Sequence, residues 1–290
     1  MKSDIEIAES AVARDIKDVA ATIGLGPDDI EQYGKYVAKV PLNVLSRFNE
    51  KKDGKLIVVT AVTPTSAGEG KTVTTIGLIQ GLSAIGKKVV GALREPSLGP
   101  TFGVKGGATG GGMSQVYPMW KIDLEFTGDI HAVTSAHNLL SAVLENNLVR
   151  DNPLNIDPSR IVWKKAMDMN CRELRDIVVG LGDSKIEGGV THESGFLITS
   201  ASEISAILAL ATDYDDLRRR LERIVVAYTY DGRPVTASQL GCIGSMMVLL
   251  REAPSRIWYR PSTVNPYSCM GSRSRISPTG ATASSRRSTL

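Results

Sequence analysis

The sequence contains little cysteine, few aromatic residues and no long apolar run. Only Cys171, Cys242 and Cys269 occur among its 290 residues, and aromatic residues make up 5% of the chain. An odd number of widely spaced cysteines fits neither a disulfide framework nor a zinc motif, and it favours a reducing compartment. No run is apolar enough to cross a membrane, and residues 1–15 lack the apolar core of a secretory signal. We therefore predict a soluble, cytoplasmic protein with no membrane partner.

Basic residues are concentrated near the C-terminal end of the chain. The net charge is +3, yet residues 254–290 hold six arginines, no lysine and no acidic residue. Residues 1–253 consequently carry a net charge of −3. A mildly acidic body does not present the electrostatic surface that nucleic acid requires, so we predict no nucleic-acid partner.

The most informative stretch is residues 55–72, where an apolar β-branched run is followed by a loop of small residues ending in Gly70-Lys71-Thr72. This order predicts a buried strand, a phosphate-binding loop and a helix from residue 73 to 82. The first glycine of the usual G-x-x-x-x-G-K-[ST] pattern is Thr65 here. A solvated turn with a surface lysine is the alternative, but the apolar strand before the loop favours nucleoside triphosphate binding. The candidate nucleotide-binding residues are Thr65, Ser66, Ala67, Gly68, Glu69, Gly70, Lys71 and Thr72.

A second apolar run, residues 86–93, leads directly into Arg94 and Glu95. Two strands joined by a helix predict a parallel βαβ unit, in which ligands bind at the carboxyl ends of the strands. Arg94 would then face the same cavity as Lys71 and offer paired donors to an oxyanion, while Glu95 orients it or handles a proton. An ion pair in a surface turn is the alternative, but the stiff, proline-containing turn that follows favours a functional role.

Residues 103–112 contain six glycines in ten positions, with a lysine among them. Ordering so many glycines is costly, and such a segment is typical of a backbone that approaches a ligand closely. A flexible linker is the alternative, but Lys105 and the apolar flanks argue against it. We predict a second anion-contacting loop, with Lys105, Gly106 and Gly107 as candidate phosphate contacts.

The rest of the chain supplies helices and strands around this centre. We predict an N-terminal helical cap over residues 1–50, in which one helix reaches Ile23 and a second begins at Pro27. An α/β nucleotide-binding domain is predicted over 51–253, and a basic tail rich in serine and arginine over 254–290. Helices are predicted at 132–148, 201–221 and 237–250, and a strand at 225–230. The predicted fold class is α/β, like a P-loop NTPase, with a mostly parallel sheet flanked by helices.

Metal-binding patterns in the sequence are weak. His131 and His137 lie six residues apart, which misses the i, i+4 spacing of a helical metal pair. Either can be a structural histidine, and that is the default interpretation for His192. Asp129 has two interpretations of equal weight, contact with Mg²⁺ through water or capping of a turn. The candidate ligand for Mg²⁺ is the hydroxyl of Thr72, as in other P-loops.

Several strings together resemble formate–tetrahydrofolate ligase, also called formyltetrahydrofolate synthetase. They form a specific set that covers residues 1 to about 253. The matching strings lie at 63–72, 94–100, 103–112, 126–132, 135–140, 154–158 and 225–232. Two departures fall in the glycine-rich segment, where the family's pattern A-A-G-G-G-Y is replaced by Ala108-Thr109 at its start and Met113 at its end. No functional role is carried over to Met113.

The resemblance implies an ATP-dependent ligation in two stages. Formate attacks the γ-phosphate to give formyl phosphate, and the tetrahydrofolate amine then accepts the formyl group, giving 10-formyltetrahydrofolate, ADP and phosphate. The implied roles are triphosphate contact for Lys71, Mg²⁺ binding for Thr72, and formyl phosphate binding for Arg94 with Glu95 beside it. The resemblance also implies formate, ATP and tetrahydrofolate as small-molecule substrates, a monovalent cation and a homo-tetramer.

The composition changes at Pro254, and we predict that the tail from there onward is translated out of frame. It holds nine serines and lacks hydrophobic periodicity, which by itself predicts disorder or, alternatively, an RNA-binding tail. With permitted codons for residues 253–260, inserting one T in codon 254 changes A-P-S-R-I-W-Y-R into A-L-K-P-N-L-V-Q, which is similar to the segment expected next in the family. Family members extend well beyond this chain and contribute the folate-binding face largely there. The alternative function is therefore an inactive nucleotide-binding fragment that lacks the folate site.

Overall fold

The computed structural model describes residues 2–41, 43–44, 47, 54–63, 65, 68–94, 97–98, 109–124, 127–169, 171–182 and 188–254, and the backbone alone of 256–261 and 269–271. The helices are α1 (Asp4–Glu9), α2 (Ile16–Ala21), α3 (Lys71–Ala84), α4 (Met119–Asp123), α5 (Asp129–Val149), α6 (Glu203–Leu210), α7 (Tyr214–Glu222) and α8 (Ile243–Leu249). The strands are β1 (Glu31–Gln32), β2 (Ala38–Val40), β3 (Gly91–Leu93), β4 (Gly110–Gly111), β5 (Ser114–Tyr117), β6 (Ile156–Ile161), β7 (Lys165–Ala166), β8 (Ile177–Val179), β9 (His192–Ser194), β10 (Phe196–Leu197), β11 (Val225–Thr229), β12 (Pro234–Thr236), β13 (Arg256–Pro261) and β14 (Cys269–Gly271).

These elements form a mixed α/β protein, and their contacts separate it into two compact units. Unit 1 comprises Met1–Thr127 together with Pro254–Leu290, and unit 2 comprises Gly128–Ala253. The predicted domains, residues 1–50, 51–253 and 254–290, stay a prediction.

Unit 1 contains a sheet in which the described strands follow the order β1-β2-β13-β14-β3, with the hairpin β4–β5 attached to β13 through β5. The β3–β14 pair is parallel, whereas the β1–β2, β2–β13, β13–β14, β5–β13 and β4–β5 pairs are antiparallel. In both units together, eight of the ten described strand pairs are antiparallel. The α/β class is therefore confirmed, and the mostly parallel P-loop sheet stays a prediction.

Helix α3 packs against the strand that leads to Arg94. Its side chains Ile76 and Ile79 are buried together with Leu93 of β3, Val116 of β5 and Ile122 of α4. Burying side chains of this size contributes roughly 1.5–3 kcal/mol each, so this core fixes α3 beside β3 and the β4–β5 hairpin. The helix predicted from residue 73 to 82 is confirmed.

Residues 2–41 combine two short helices with a small β-hairpin. Ser3 caps α1 in a capping box, in which Glu6 N donates to Ser3 Oγ at 3.3 Å and Ser3 N donates to Glu6 Oε2 at 2.6 Å. The side chain of Asp15 caps α2, so the helix predicted to reach residue 23 is interrupted between α1 and α2. A 3-10 turn at Pro27–Asp29 and the β1–β2 hairpin then replace the second predicted helix.

The apolar run before the predicted phosphate loop is not a buried strand over the residues that the structure describes. Residues 54–63 belong to no helix or strand, and Leu56, Ile57 and Val58 are exposed by 70%, 58% and 57%. Val62 is fully exposed. Strand propensity reflects the fit of a side chain to neighbouring strands, and no described strand pairs with this run. The prediction of a buried strand here is therefore wrong for these residues.

Unit 2 is built around α5, whose apolar residues recur at helical spacing. Val133, Ala136, Leu140 and Leu144 are buried in one core, and the helix predicted at 132–148 is confirmed. Helix α5 packs against α8 and against a 3-10 turn at Ala237–Leu240. The described strands of the unit form an antiparallel sheet in the order β12-β11-β6 and two small sheets, β7–β10 and β8–β9. Strand β11 confirms the strand predicted at 225–230.

Two predicted helices of unit 2 are interrupted by local turns. The helix predicted at 201–221 is divided into α6 and α7, because Asp213 caps α7 and accepts a hydrogen bond from Asp216 N at 2.7 Å. The helix predicted at 237–250 is a 3-10 turn followed by α8, since Gly241 adopts a φ of +71° between them. Capping and positive φ thus end helices through which the apolar pattern continues.

Parts of the predicted disordered tail carry strands. The backbone of β13 pairs with β2 and β14, and β14 pairs with β3. For these nine residues the structure differs from the predicted disorder. The run Ile257-Trp258-Tyr259 consists of β-branched and aromatic residues, which favour strands. The rest of the tail after Pro254 lies outside the described residues.

Candidate functional site

Helix α3 begins at Lys71, and its N-terminus has the character of an anion-binding site. The N-cap residue is Gly70, with a φ of +68°, and it provides no side-chain acceptor for the first amide groups. The first turn contains no acidic residue. Helix N-termini expose unpaired N–H groups and a partial positive charge, so this end favours a negatively charged group.

Lys71 and Glu69 form an ion pair at this helix end. The ammonium of Lys71 donates to Glu69 Oε2, and the amide of Thr65 donates to Glu69 Oε1. The hydrogen bond from Lys71, followed by that from the Thr65 amide, lowers the pKa of Glu69 to about 2. The carboxylate is therefore ionised at neutral pH and joins the beginning of the predicted phosphate loop to its lysine.

The structure describes only some of the other predicted site residues. Gly68 adopts a φ of +84°, and Thr72 is the half-buried second residue of α3. Arg94 is half-buried and directly follows β3, whose Leu93 packs with Ile76 of α3. The α3–β3 core thus brings Arg94 into the same unit as Lys71. That the two side chains face one cavity stays a prediction. Six predicted residues lie outside the described part of the chain: Ser66, Ala67, Glu95, Lys105, Gly106 and Gly107.

The end of the glycine-rich segment forms the β4–β5 hairpin, which packs on α3. Gln80 Nε2 donates to Met113 O at 2.9 Å, and Ser114 Oγ donates to Gln80 Oε1 at 3.3 Å. Gly110 has a φ of +94°, and a Cβ there would lie 1.9 Å from Ser114 O and 2.8 Å from Ile76 Cδ1. Pairing with β5 and packing against α3 therefore both require glycine at this position, so the approach of a ligand is not needed to explain Gly110.

Two acidic residues that the sequence did not single out also hold this hairpin. Asp4 Oδ1 accepts a hydrogen bond from Gly112 N at 2.9 Å, which connects α1 to the hairpin. Thr109 Oγ1 donates to Asp123 Oδ2 at 3.0 Å, and both side chains are buried. Burial raises the pKa of Asp123, although the hydrogen bond from Thr109 opposes the rise. Thr109 is one of the two departures from the family's pattern, but no sequence signal pointed to its contact with Asp123.

The histidines of unit 2 do not form a metal centre. His137 Nδ1 lies 2.9 Å from Ser202 Oγ and its Nε2 lies 2.8 Å from Lys164 O, so it has structural partners at both nitrogens. His192 is buried, with Nδ1 2.8 Å from Val190 O. Within the described residues, no group of three or more His, Cys, Asp and Glu side chains is arranged to hold a metal ion. Asp129 is the buried first residue of α5, and both of its interpretations stay open.

These observations define a mixed α/β chain with a glycine-capped helix N-terminus, a lysine at its first position and a glycine-rich hairpin packed on the same helix. Among the residues described, no helix is long and apolar enough to pass through a membrane. A sequence model of the family Formate--tetrahydrofolate ligase matches residues 2–257, and the chain belongs to this family.

The chain is also similar to a curated relative of that family. It is 57% identical over 251 residues to the formate--tetrahydrofolate ligase of Desulforamulus reducens. The aligned region covers 87% of this chain and 44% of the relative. The chain thus spans less than half the length of this relative.

Proposed function

We propose that this chain carries the nucleotide-binding half of an ATP-dependent ligase, which joins formate to tetrahydrofolate through formyl phosphate. The products are 10-formyltetrahydrofolate, ADP and phosphate. The observation that carries the proposal is the N-terminus of α3, where Gly70 leaves the first turn without a side-chain cap and Lys71 stands at the first helical position. Family membership supports the choice of substrates.

The proposed roles follow from the charge of the reacting groups. Residues 65–72 surround the triphosphate, with the Lys71 ammonium neutralising the β- and γ-phosphates and the Thr72 hydroxyl holding Mg²⁺. Arg94 binds formyl phosphate with two parallel donors, and Glu95 stands beside it. Positioning and charge neutralisation supply most of the rate enhancement in phosphoryl transfer. Lys105, Gly106 and Gly107 complete the anion-contacting loop.

The finer fold assignment belongs to the same proposal. We propose a P-loop arrangement in which β3, the strand before Arg94, belongs to a mostly parallel sheet flanked by helices, with no strand at residues 54–63. The packing of α3 on β3 supports it. The proposal also includes a cytoplasmic homo-tetramer and a requirement for a monovalent cation.

A second candidate is an inactive nucleotide-binding fragment. One observation favours it: the family match ends at residue 257, close to the change in composition at Pro254. We propose that one base is missing near codon 254, so that the sequence from there onward is out of frame. Resequencing this part of the gene tests the frame directly, and an intact reading frame through Leu290 on good reads would contradict it.

The deciding experiment measures ADP release that depends on both formate and tetrahydrofolate. This chain is compared with a version in which one base is restored and the downstream gene is included. Turnover by this chain supports the ligase, whereas nucleotide binding without turnover, combined with turnover by the restored version, supports the fragment. Lys71→Ala is expected to abolish nucleotide binding, while Lys87→Ala, at an exposed lysine of the same unit, leaves it unchanged. Absence of nucleotide binding by every version would contradict both candidates.

A further inference from the structure

The Glu69 carboxylate uses both of its oxygens inside the candidate nucleotide site. One oxygen accepts the backbone amide of Thr65, and the other accepts the ammonium of Lys71. A backbone amide of the loop and the lysine at the helix start are the donors that a nucleotide phosphate takes in P-loops. The carboxylate therefore occupies, with two oxygens and a negative charge, positions that suit two phosphate oxygens.

The Glu69 side chain is partly enclosed by the residues around it. Its side chain is 16% exposed, against 47% for that of Lys71, so the carboxylate is the more enclosed partner. The positive φ angles of Gly68 and Gly70, +84° and +68°, turn the backbone on either side of it. A pKa of about 2 keeps it ionised at every pH at which nucleotide binding is measured.

We propose that Glu69 is an internal competitor for the nucleotide phosphates, which must be displaced from Thr65 N and Lys71 Nζ before a diphosphate or triphosphate binds. This inference rests on the proposed function, because it assigns a specific role within the same nucleotide site. Glu69 sets the affinity of the site for nucleotides and prevents Lys71 from pairing with other anions when no nucleotide is bound.

The test is the affinity of the full 290-residue chain for ADP with Mg²⁺, measured by calorimetry. An ion pair with one exposed partner is weak, and Lys71 is that partner, so its removal should tighten ADP binding about two- to fivefold in Glu69→Gln. Glu69→Asp separates occupancy from simple charge repulsion, since it keeps the charge but is one methylene shorter and no longer reaches both donors. Occupancy predicts tighter ADP binding in both variants, whereas repulsion predicts it in Glu69→Gln alone.

A matched control is Glu31→Gln, which removes one exposed negative charge of β1 in the same unit and is expected to leave ADP affinity unchanged. Circular dichroism melting curves verify that each variant is folded. Unchanged or weaker ADP binding in Glu69→Gln, or tightening confined to Glu69→Gln, would overturn the inference while leaving the proposed function intact. Failure of the wild type and of all three variants to bind ADP would overturn the proposed function as well. Binding by the Glu69 variants but not by the wild type would support both.

Discussion

The imidazole of His137 stacks on the indole of Trp163, with 4.1 Å between the ring centroids and 20° between the planes. Trp163 Nε1 donates to the backbone oxygen of His137 at 3.1 Å, so a hydrogen bond accompanies the ring stacking. Because Nε2 of His137 faces the carbonyl oxygen of Lys164, it donates there, and Nδ1 accepts from the hydroxyl of Ser202. Burial of the ring favours the neutral imidazole in the folded chain.

Acid should therefore destabilise unit 2 through His137. Burial lowers the pKa of His137 to about 4, whereas an unfolded histidine has a pKa of about 6.5. The unfolded state binds the proton first as the pH falls, so the contribution is complete above about pH 6.5 and is lost between about 6.5 and 4. The loss amounts to at most roughly 3 kcal/mol. Urea unfolding followed by circular dichroism at pH 7.5, 6 and 5 measures it.

The control for this prediction is a second histidine of α5. His137→Gln should flatten the dependence of the unfolding free energy on pH, even where the variant is less stable overall. His131→Gln, at an exposed position of the same helix, should keep the wild-type dependence. An identical pH dependence in the wild type and His137→Gln would contradict the assignment.

Asn138, the neighbour of His137, bridges α5 to β7 with its side-chain amide. Its Nδ2 donates to Ala166 O at 2.9 Å, and its Oδ1 accepts from Ala166 N at 2.8 Å. Asn138→Ala removes both bonds and leaves the backbone N–H and C=O of the buried Ala166 without these partners, so we expect a loss of about 2–3 kcal/mol in unfolding free energy. Asn146→Ala, which removes one exposed bond to Arg150, should cost less than about 0.5 kcal/mol. Chemical denaturation of both variants at pH 7.5 provides the comparison, and equal losses would contradict the bridging role.

The fold could be predicted from the sequence where one periodic pattern decided an element. Helix α5 is such a case, since Val133, Ala136, Leu140 and Leu144 lie on one face and are buried. Helices α6 and α7 were predicted as one, because apolar spacing does not reveal that Asp213 offers a competing cap. The prediction of a strand in the apolar run at 54–63 failed for a different reason. A strand needs ladder partners, and these are distant in sequence.

The sequence predicted which residues begin helix α3 at the candidate site. It did not predict the long-range contacts that hold the neighbouring hairpin. Gly70 and Lys71 follow from the loop pattern, and the structure places them at the first turn of α3. The contact of Asp4 with Gly112 joins residues 108 positions apart, and local patterns carry no information on such pairs. The bond between Thr109 and Asp123 is hidden for the same reason, although Thr109 differs from the family's pattern.

Asp123 should weaken unit 1 when it is ionised. Its buried carboxyl accepts one hydrogen bond from Thr109, and within the described residues Oδ1 has no partner. Burial raises its pKa in the folded state, so its contribution is complete below the unfolded pKa of about 3.9 and is lost as the pH rises through the folded pKa. Asp123→Asn should therefore increase the unfolding free energy at pH 7.5 and should have little effect at pH 4, as measured by urea denaturation at both values.

A variant of Thr109 tests the other partner of this hydrogen bond. Thr109→Val keeps the shape of the side chain and removes the only bond described for the buried Asp123 carboxyl, which should cost about 1–3 kcal/mol. Ser83→Ala provides a control, since it removes a buried hydroxyl that has no hydrogen-bond partner in the described structure, and its cost should be smaller. Equal costs for Thr109→Val and Ser83→Ala would show that the bond to Asp123 does not stabilise unit 1.

The glycines of the β4–β5 hairpin should differ sharply in their tolerance of a side chain. Gly110→Ala places a Cβ 1.9 Å from Ser114 O of the paired strand β5 and 2.8 Å from Ile76 Cδ1 of α3, so the hairpin must open and shift on α3, and we expect a loss of at least about 3 kcal/mol. Gly112→Ala meets nothing within 4 Å and has a φ of +56°, so it should cost only the strain of the left-handed region, about 1–2 kcal/mol. Thermal unfolding of both variants measures the difference. Because the hairpin packs against α3, which begins at Lys71, Gly110→Ala should also weaken ADP binding more than Gly112→Ala does. Equal stability and equal ADP affinity in the two variants would show that the hairpin does not support the nucleotide site.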